Sequence, residues 1–354
     1  AGRKVAAEKI PSWWEIEKIW YPKHLSLEQC SSEITARYKA RLLQGDSLTD
    51  LTGGFGIDCS FLATGFKSAT YVERQEELCE IAAHNFPVLN LNHINIKNED
   101  GVTYLQAMSP VDCLFLDPAR RNEHGGKTVA ISDCEPNVAE LEELLLQKAN
   151  RVMIKLSPML DLSLALKELK QTQEVHILSV NNECKELLIL LGQTSPAEIS
   201  IHCVNLFTKG TQKEQHFVFT REQEQCSECT YTDSLETYLY EPNASLLKAG
   251  AFRSIAAAYP VRKLHPNSHL YTSDTFIENF PGRIFRIVNQ CSFNKKEVKE
   301  NLADLKKANV TVRNFPATVA ELRKRIHLAE GGDTYLFAST LNNGQKVLIR
   351  CEKV

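Results

Sequence analysis

The sequence predicts an α/β protein: a doubly wound, mostly parallel sheet, with a helical segment before it and small α+β units after it. Three observations carry this. Leu48-Thr-Asp-Leu-Thr-Gly-Gly-Phe-Gly-Ile-Asp58 reads as a short strand, a glycine turn and the start of a helix. From Ser47 to Val180 short apolar runs alternate with helical patterns, the rhythm of strands joined by crossover helices. Beyond Pro281 a second strand–helix pattern runs on a basic stretch of different character.

Taken in order, residues 1–45 read as helical, punctuated by Pro11 and Pro22. Ser26 and Gln29 have the spacing of a capping box, and Ile34, Tyr38 and Leu42 recur at helical intervals. Trp13, Trp14 and Trp20 are read as staples between this segment and the next. The sheet domain spans 46–236. Its strands are Ser47–Leu51, Ala69–Val72, His93–Ile96, Asp112–Leu116, Val152–Leu156 and Val175–Val180. Glu198–Phe207 and His216–Thr220 look like an antiparallel pair closing one edge. A small unit follows at 237–281, with a helix over Ala244–Ala258. The last unit, 282–354, reads as strand, helix, strand, helix and a hairpin turning at Asn342-Asn343-Gly344.

Composition bounds the function classes. The 354 residues are 43% hydrophobic and 24% charged, with a net charge of −3. From Pro281 on, 14 Lys and Arg face 7 Asp and Glu, a net of +7, so the remainder carries −10. A basic end on an acidic body points toward nucleic acid. The 11 cysteines are scattered, several inside apolar runs, as in reduced cytoplasmic proteins. Cys226 and Cys229 form a CxxC with no second pair at zinc spacing, so no metal site is expected. There is no run of 18 apolar residues and no visible signal peptide, so no membrane partner is expected.

Acids stand at successive strand ends: Asp50 at the first, Glu73 at the second, Asp100 after the third and Asp117 at the fourth. Glu73 is placed to accept two ribose hydroxyls of an adenosine-type cofactor, whether a nicotinamide dinucleotide or S-adenosylmethionine. The dinucleotide fingerprint needs a third glycine three residues after the second, and Cys59 stands there instead. Asp100 suits the exocyclic amine of adenine. Asp117-Pro118-Ala119-Arg120-Arg121 then places a carboxylate, a rigid turn and two cations beside the reacting atoms.

The set Asp50-Leu-Thr-Gly-Gly-Phe-Gly56, Tyr71-Val-Glu73, Asp100 and Asp117-Pro-Ala-Arg120 resembles class I S-adenosylmethionine-dependent methyltransferases, those of RNA above all. More closely, LSLEQCSSEITARYKA, DLTGGFGID, DPARR, IKLSPMLD, NNECKELL and YEPNASLLKAGAF resemble a bacterial group with a C-terminal THUMP-like domain and a small ferredoxin-like piece before it. The resemblance implies a Rossmann-like methyltransferase sheet, S-adenosylmethionine as cofactor and structured RNA, tRNA or rRNA, as partner. It implies a cofactor site along Asp50, Thr52, Gly53, Gly54, Phe55, Gly56, Asp58, Glu73, Arg74, Asp100 and Asp117. Gln29 and Ser32 are expected at the cofactor's methionine end. Asp117 is expected to orient or deprotonate the acceptor, with Pro118 fixing the backbone there and Arg120, Arg121 and Lys155 on phosphate or the target base. The chain departs from the Pro-Pro-aromatic pattern of amino-group enzymes and has Leu156 where uridine C5 enzymes carry a cysteine, leaving Cys184 as the remaining thiol candidate. Methylation of a protein or small molecule, or RNA binding without catalysis, are the alternatives.

Overall fold

A computed structural model describes residues 2–22, 28–120 and 130–354. The chain forms two compact units, residues 1–202 with 206–213, and residues 203–205 with 214–354.

In the first unit, strands β1 (Ser47–Asp50), β2 (Ser68–Glu73), β3 (Ile94–Asn98), β4 (Val111–Leu116), β7 (Ala149–Leu156), β8 (Thr172–Val180) and β9 (Glu183–Gly192) share one sheet with β10 (Ser200–Leu206). The short strands β5 (Ala119–Arg120) and β6 (Cys134–Glu135) pair with each other. The sheet order is β10-β8-β9-β7-β4-β1-β2-β3. Strands β3, β2, β1, β4 and β7 are parallel neighbours. Their long apolar runs follow from burial on both faces, as in Leu114-Phe-Leu116 and Val152-Met-Ile154. Chain order reverses at β1, so the crevice above its C-terminal end is where such sheets take a ligand.

The order departs from the expected rhythm at β9, an antiparallel strand between β7 and β8 that the sequence reading left out. Its signal was present: Asn181 and Asn182 both adopt positive φ, the requirement of a two-residue hairpin turn. The helices Gly2–Lys9 and Pro11–Trp14 are described for the first segment, with Glu33–Ala40 completing it. Ser26 of the expected capping box lies outside the described residues. Ala6, Ile10, Trp13, Ile19 and Ala36 pack with Phe55 and Ile57 of the glycine turn and its helix. Trp13 meets Phe55 edge-on at 5.2 Å, so it is a staple. Trp20 is exposed and stacks on His84.

The second unit holds β11 (Glu214–Phe219) and a seven-stranded sheet. That sheet joins β12 (Tyr238–Pro242), β13 (Arg262–Lys263), β14 (Tyr271–Ser273), β15 (Gly282–Ser292), β16 (Asn309–Val312), β17 (Thr334–Thr340) and β18 (Lys346–Lys353) in the order β13-β14-β12-β15-β18-β17-β16. Residues 237–281 and 282–354 therefore share one sheet, joined by the antiparallel pair β12 and β15. Buried Glu241 of the first stretch bonds both Arg283 and Arg313 of the second. The expected helix Ala244–Ala258 is two helices, broken at Gly250 in a left-handed conformation. The hairpin turns at Gly344, also at positive φ. No helix among the described residues is long and apolar enough to cross a membrane.

Candidate functional site

The glycine turn is built so that its backbone forms a wall. A Cβ on Gly53 would lie 2.2 Å from the Tyr71 ring, and Gly54 and Gly56 have φ of +54° and +86°. The Tyr71 hydroxyl donates to the Gly54 carbonyl at 2.5 Å. The Gly54 N–H donates to Glu73 at 2.9 Å, and the Gln75 N–H donates to the other Glu73 oxygen at 2.8 Å. Glu73 is thereby fixed, and each of its oxygens keeps a lone pair for a ligand.

A cavity of about 600 Å³ opens over these strand ends. Asp50, Thr52, Gly53, Gly54, Phe55, Gly56, Asp58, Glu73, Arg74, Asp100, Asp117 and Lys155 all line it, as does Gln29. Asp100 caps the helix Gly101–Ala107 through one oxygen, which accepts from the N–H groups of Val102 and Thr103. Arg74 pairs with Glu135 at 3.4 Å on the cavity rim. Pro118 is buried behind Asp117 and is not a lining residue. Ser32 does not line the cavity either: its hydroxyl lies 3.2 Å from that of Thr35 at the start of Glu33–Ala40. Its neighbour Ser31 takes that place. The Arg120 backbone pairs with Cys134, while its side chain and all of Arg121 lie outside the described residues.

Beneath the cavity two lysines and three carboxylates form one ionic cluster. Lys155 Nζ is 2.6 Å from Asp117 and 3.2 Å from Asp58. Lys39, wholly buried, is 2.8 Å from Asp58 and 2.6 Å from Glu186. The Ser31 hydroxyl accepts from both ammonium groups and lies 2.7 Å from Asp58. Lys155 is thus held inside the protein, and its ammonium is engaged by carboxylates rather than extended toward a phosphate. Ser31, Lys39 and Glu186 were not singled out from the sequence. Glu186 carried a signal, a charge heading the apolar run Glu186-Leu-Leu-Ile-Leu-Leu191, because a buried charge needs a partner; Ser31 and Lys39 carried none.

The cluster sets protonation states. Burial alone would raise the Asp58 carboxyl, but Lys39, Lys155 and Ser31 together hold it below the usual carboxylate range. Burial works to lower Lys155, and Asp117, Asp58 and Glu186 outweigh it, so its pKa stands well above the ordinary lysine value. Asp117 is raised by burial, with Lys155 opposing the rise. Asp50 accepts the Thr52 N–H on one oxygen, and its other oxygen is buried without a hydrogen bond. Burial, with Asp58 and Asp117 nearby, pushes Asp50 up to about 8. Thr52 also ties the turn to the fourth strand end: its hydroxyl accepts the Asp117 N–H at 2.6 Å.

Cys30 lines the cavity, and burial pushes its thiol up to about 11. Cys184 is not a lining residue. Glu174, His176 and His202 make a separate group, but the two imidazoles stack 18° from parallel at 4.3 Å. His176 also bonds Tyr38 and Glu174, and Glu174 pairs with Arg151.

Comparisons with known proteins agree with this architecture. A ferredoxin-like domain family matches residues 238–281, and a THUMP domain-like family matches 282–353. No curated protein matches the chain. A solved structure of a candidate methyltransferase from Porphyromonas gingivalis W83 is 37% identical, with a TM-score of 0.91 over 99% of this chain and 88% of that one. An rRNA methylase from Streptococcus thermophilus is 15% identical, covering 45% of this chain and 93% of its own, and its TM-score of 0.33 is too low to bear on function. With the Porphyromonas gingivalis relative matching nearly all of this chain and the THUMP-like family matched at the C-terminus, the chain belongs to the class I S-adenosylmethionine-dependent methyltransferases of the bacterial group with a C-terminal THUMP-like domain.

Proposed function

We propose that the protein methylates RNA by direct transfer from S-adenosylmethionine. The observation that carries this is the Asp117–Lys155 pair in the lining of a cavity that the glycine turn and Glu73 also line. The cavity fits the cofactor. Glu73 has two fixed oxygens with lone pairs free for the ribose diol. Asp100 spends one oxygen on its helix cap, and the glycines let backbone approach closely. Asp50 and Gln29 supply the remaining polar wall. When bound, the cofactor supplies a methyl already activated by its sulfonium charge.

The chain's own work is alignment and proton removal. Thr52 and Lys155 fix Asp117 from two sides, leaving its carboxylate partly open to the cavity. Asp117 takes the acceptor's proton; Lys155 stays charged and positions it. Holding the reactants in line is itself a large part of the rate. The RNA part of the reading rests on the THUMP-like match and on exposed Lys295, Lys296, Lys299, Lys306, Lys307 and Lys324 in that region.

The test is transfer of tritiated methyl to total RNA from cells lacking the protein. Label in one RNA class supports the reading. Label in protein or small molecules with none in RNA refutes the acceptor. Unmeasurable S-adenosylmethionine binding in calorimetry refutes the cofactor.

A further inference from the structure

We propose that the methylated atom is a hydroxyl oxygen, the ribose 2′-hydroxyl of the RNA, rather than a nitrogen or carbon of a base. This rests on the reading that the protein methylates RNA from a sulfonium donor. The charge beside the acceptor has the sign that an oxygen needs. Lys155 stands 2.6 Å from the Asp117 carboxylate, and Lys39 lies behind it across Asp58. A neutral base nitrogen gains positive charge as it is alkylated, which a fixed ammonium opposes. A hydroxyl oxygen gains negative charge as its proton leaves, which a fixed ammonium stabilises.

The described lining also offers no stacking face. A base drawn out of its helix is normally held between aromatic or apolar side chains. The aromatic residues among the described lining are Phe55 and Phe115, 4% and 1% exposed, and Phe55 is already packed against Trp13. Pro118 and Ala119 follow Asp117 where an aromatic clamp would stand. Nor does the described lining offer a thiolate. Cys30 is the cysteine among the described lining residues, and its burial keeps it a thiol, so no covalent adduct to a base carbon is available.

The step balances with these groups. The 2′-oxygen forms the new O–CH3 bond while the donor's C–S bond breaks. The C–S pair stays on sulfur as a neutral thioether, and the hydroxyl proton passes to Asp117 and then to water. Lys155 keeps its proton throughout.

Alkaline hydrolysis of RNA labelled by the protein tests this, because cleavage uses the free 2′-hydroxyl. Label in alkali-resistant dinucleotides is the expected result. Label in mononucleotides overturns the hydroxyl assignment and leaves RNA methylation standing. No label in RNA overturns both. Once the labelled nucleotide is mapped, an oligonucleotide with 2′-deoxyribose at that position should lose all labelling and keep its affinity for the protein within about twofold, since phosphate contacts dominate binding; retained labelling would overturn the assignment.

Discussion

Lys155 and Asp117 stand 2.6 Å apart although 38 positions separate them in sequence, because β4 and β7 are parallel neighbours in register at Leu116 and Ile154. The parallel sheet thus delivers a charged pair to one edge without any local motif. Asp58 and Lys39 then extend the pair into the first helical segment, so the cavity floor depends on residues from 31 to 186.

Removing the ammonium should be felt first in pH dependence. Lys155 opposes the rise that burial imposes on Asp117. Without it the carboxyl titrates at higher pH, so the ascending limb of the rate profile of Lys155→Met should move to higher pH. Turnover should fall about 10²–10³-fold, the usual cost of removing one charge stabiliser at a reacting oxygen. Lys155→Arg should keep the limb near its original place. An unmoved limb in Lys155→Met would show that Asp117 is not the titrating base.

Lys39 should matter for stability. Lys39→Met leaves Asp58 and Glu186 buried with one cation fewer, and an uncompensated buried charge costs about 3–5 kcal/mol. Adding Glu186→Gln removes one orphaned charge and should restore part of the loss. Urea unfolding of the two single variants and the double variant measures the coupling; additive effects would contradict the cluster.

Gly53 should be intolerant for steric reasons. Its missing Cβ would collide with the Tyr71 ring, whose hydroxyl holds the Gly54 carbonyl. Gly53→Ala should cost about 1–3 kcal/mol, as overpacking does, and weaken cofactor binding in calorimetry. Gly65→Ala, whose Cβ would only touch the Leu62 carbonyl at 3.7 Å, is the control. Equal effects at both sites would count against a shaped turn.

Much of the site was legible because it is written at strand ends. Asp50, Glu73, Asp100 and Asp117 each stand at or just past a strand end, and a parallel sheet brings such ends together. The cluster beneath was not legible as a cluster. Lys39 and Glu186 meet only because a helix before the first strand packs where β9 passes, and neither spacing nor composition encodes that meeting. The hairpin placing Glu186 on β9 was missed for want of reading Asn181-Asn182 as a turn. Ser32 was expected where Ser31 is found; both precede the helix, with Ser32 in extended backbone, where successive side chains point to opposite sides.

Asp50 should impress a pH slope on stability. Its carboxyl moves from 3.8 to about 8 on folding. Below about pH 4 both states hold the proton and the stabilisation is fully present. As pH rises from there to about 8 the unfolded state releases the proton while the folded state keeps it, so stability falls, and above about 8 the loss is complete. Asp50→Asn removes this slope. Relative to the wild type, the variant should gain stability steadily between pH 4 and 8, on the order of a few kcal/mol in all. Parallel stability curves for the two proteins would show that Asp50 is ionised in the folded state.

Exposed lysines of the C-terminal unit should carry the salt dependence of RNA binding. Deleting 282–354 is a poor test, because it would strip β15 from β12 and leave Glu241 buried without Arg283 and Arg313. Charge reversal avoids this. Lys295, Lys296 and Lys299 are exposed on the helix Lys295–Leu302, and the buried residue of that helix is Leu302. Changing all three to Glu should leave the fold intact. If each contacts a phosphate, the slope of log affinity against log salt should shrink by about 0.7–0.9 per lost contact, the range spanning single strands to duplex. Affinity at low salt should fall most, since screening there is weakest. Titrations of the variant and the wild type across a salt series measure both quantities, and an unchanged slope would place the RNA on another face.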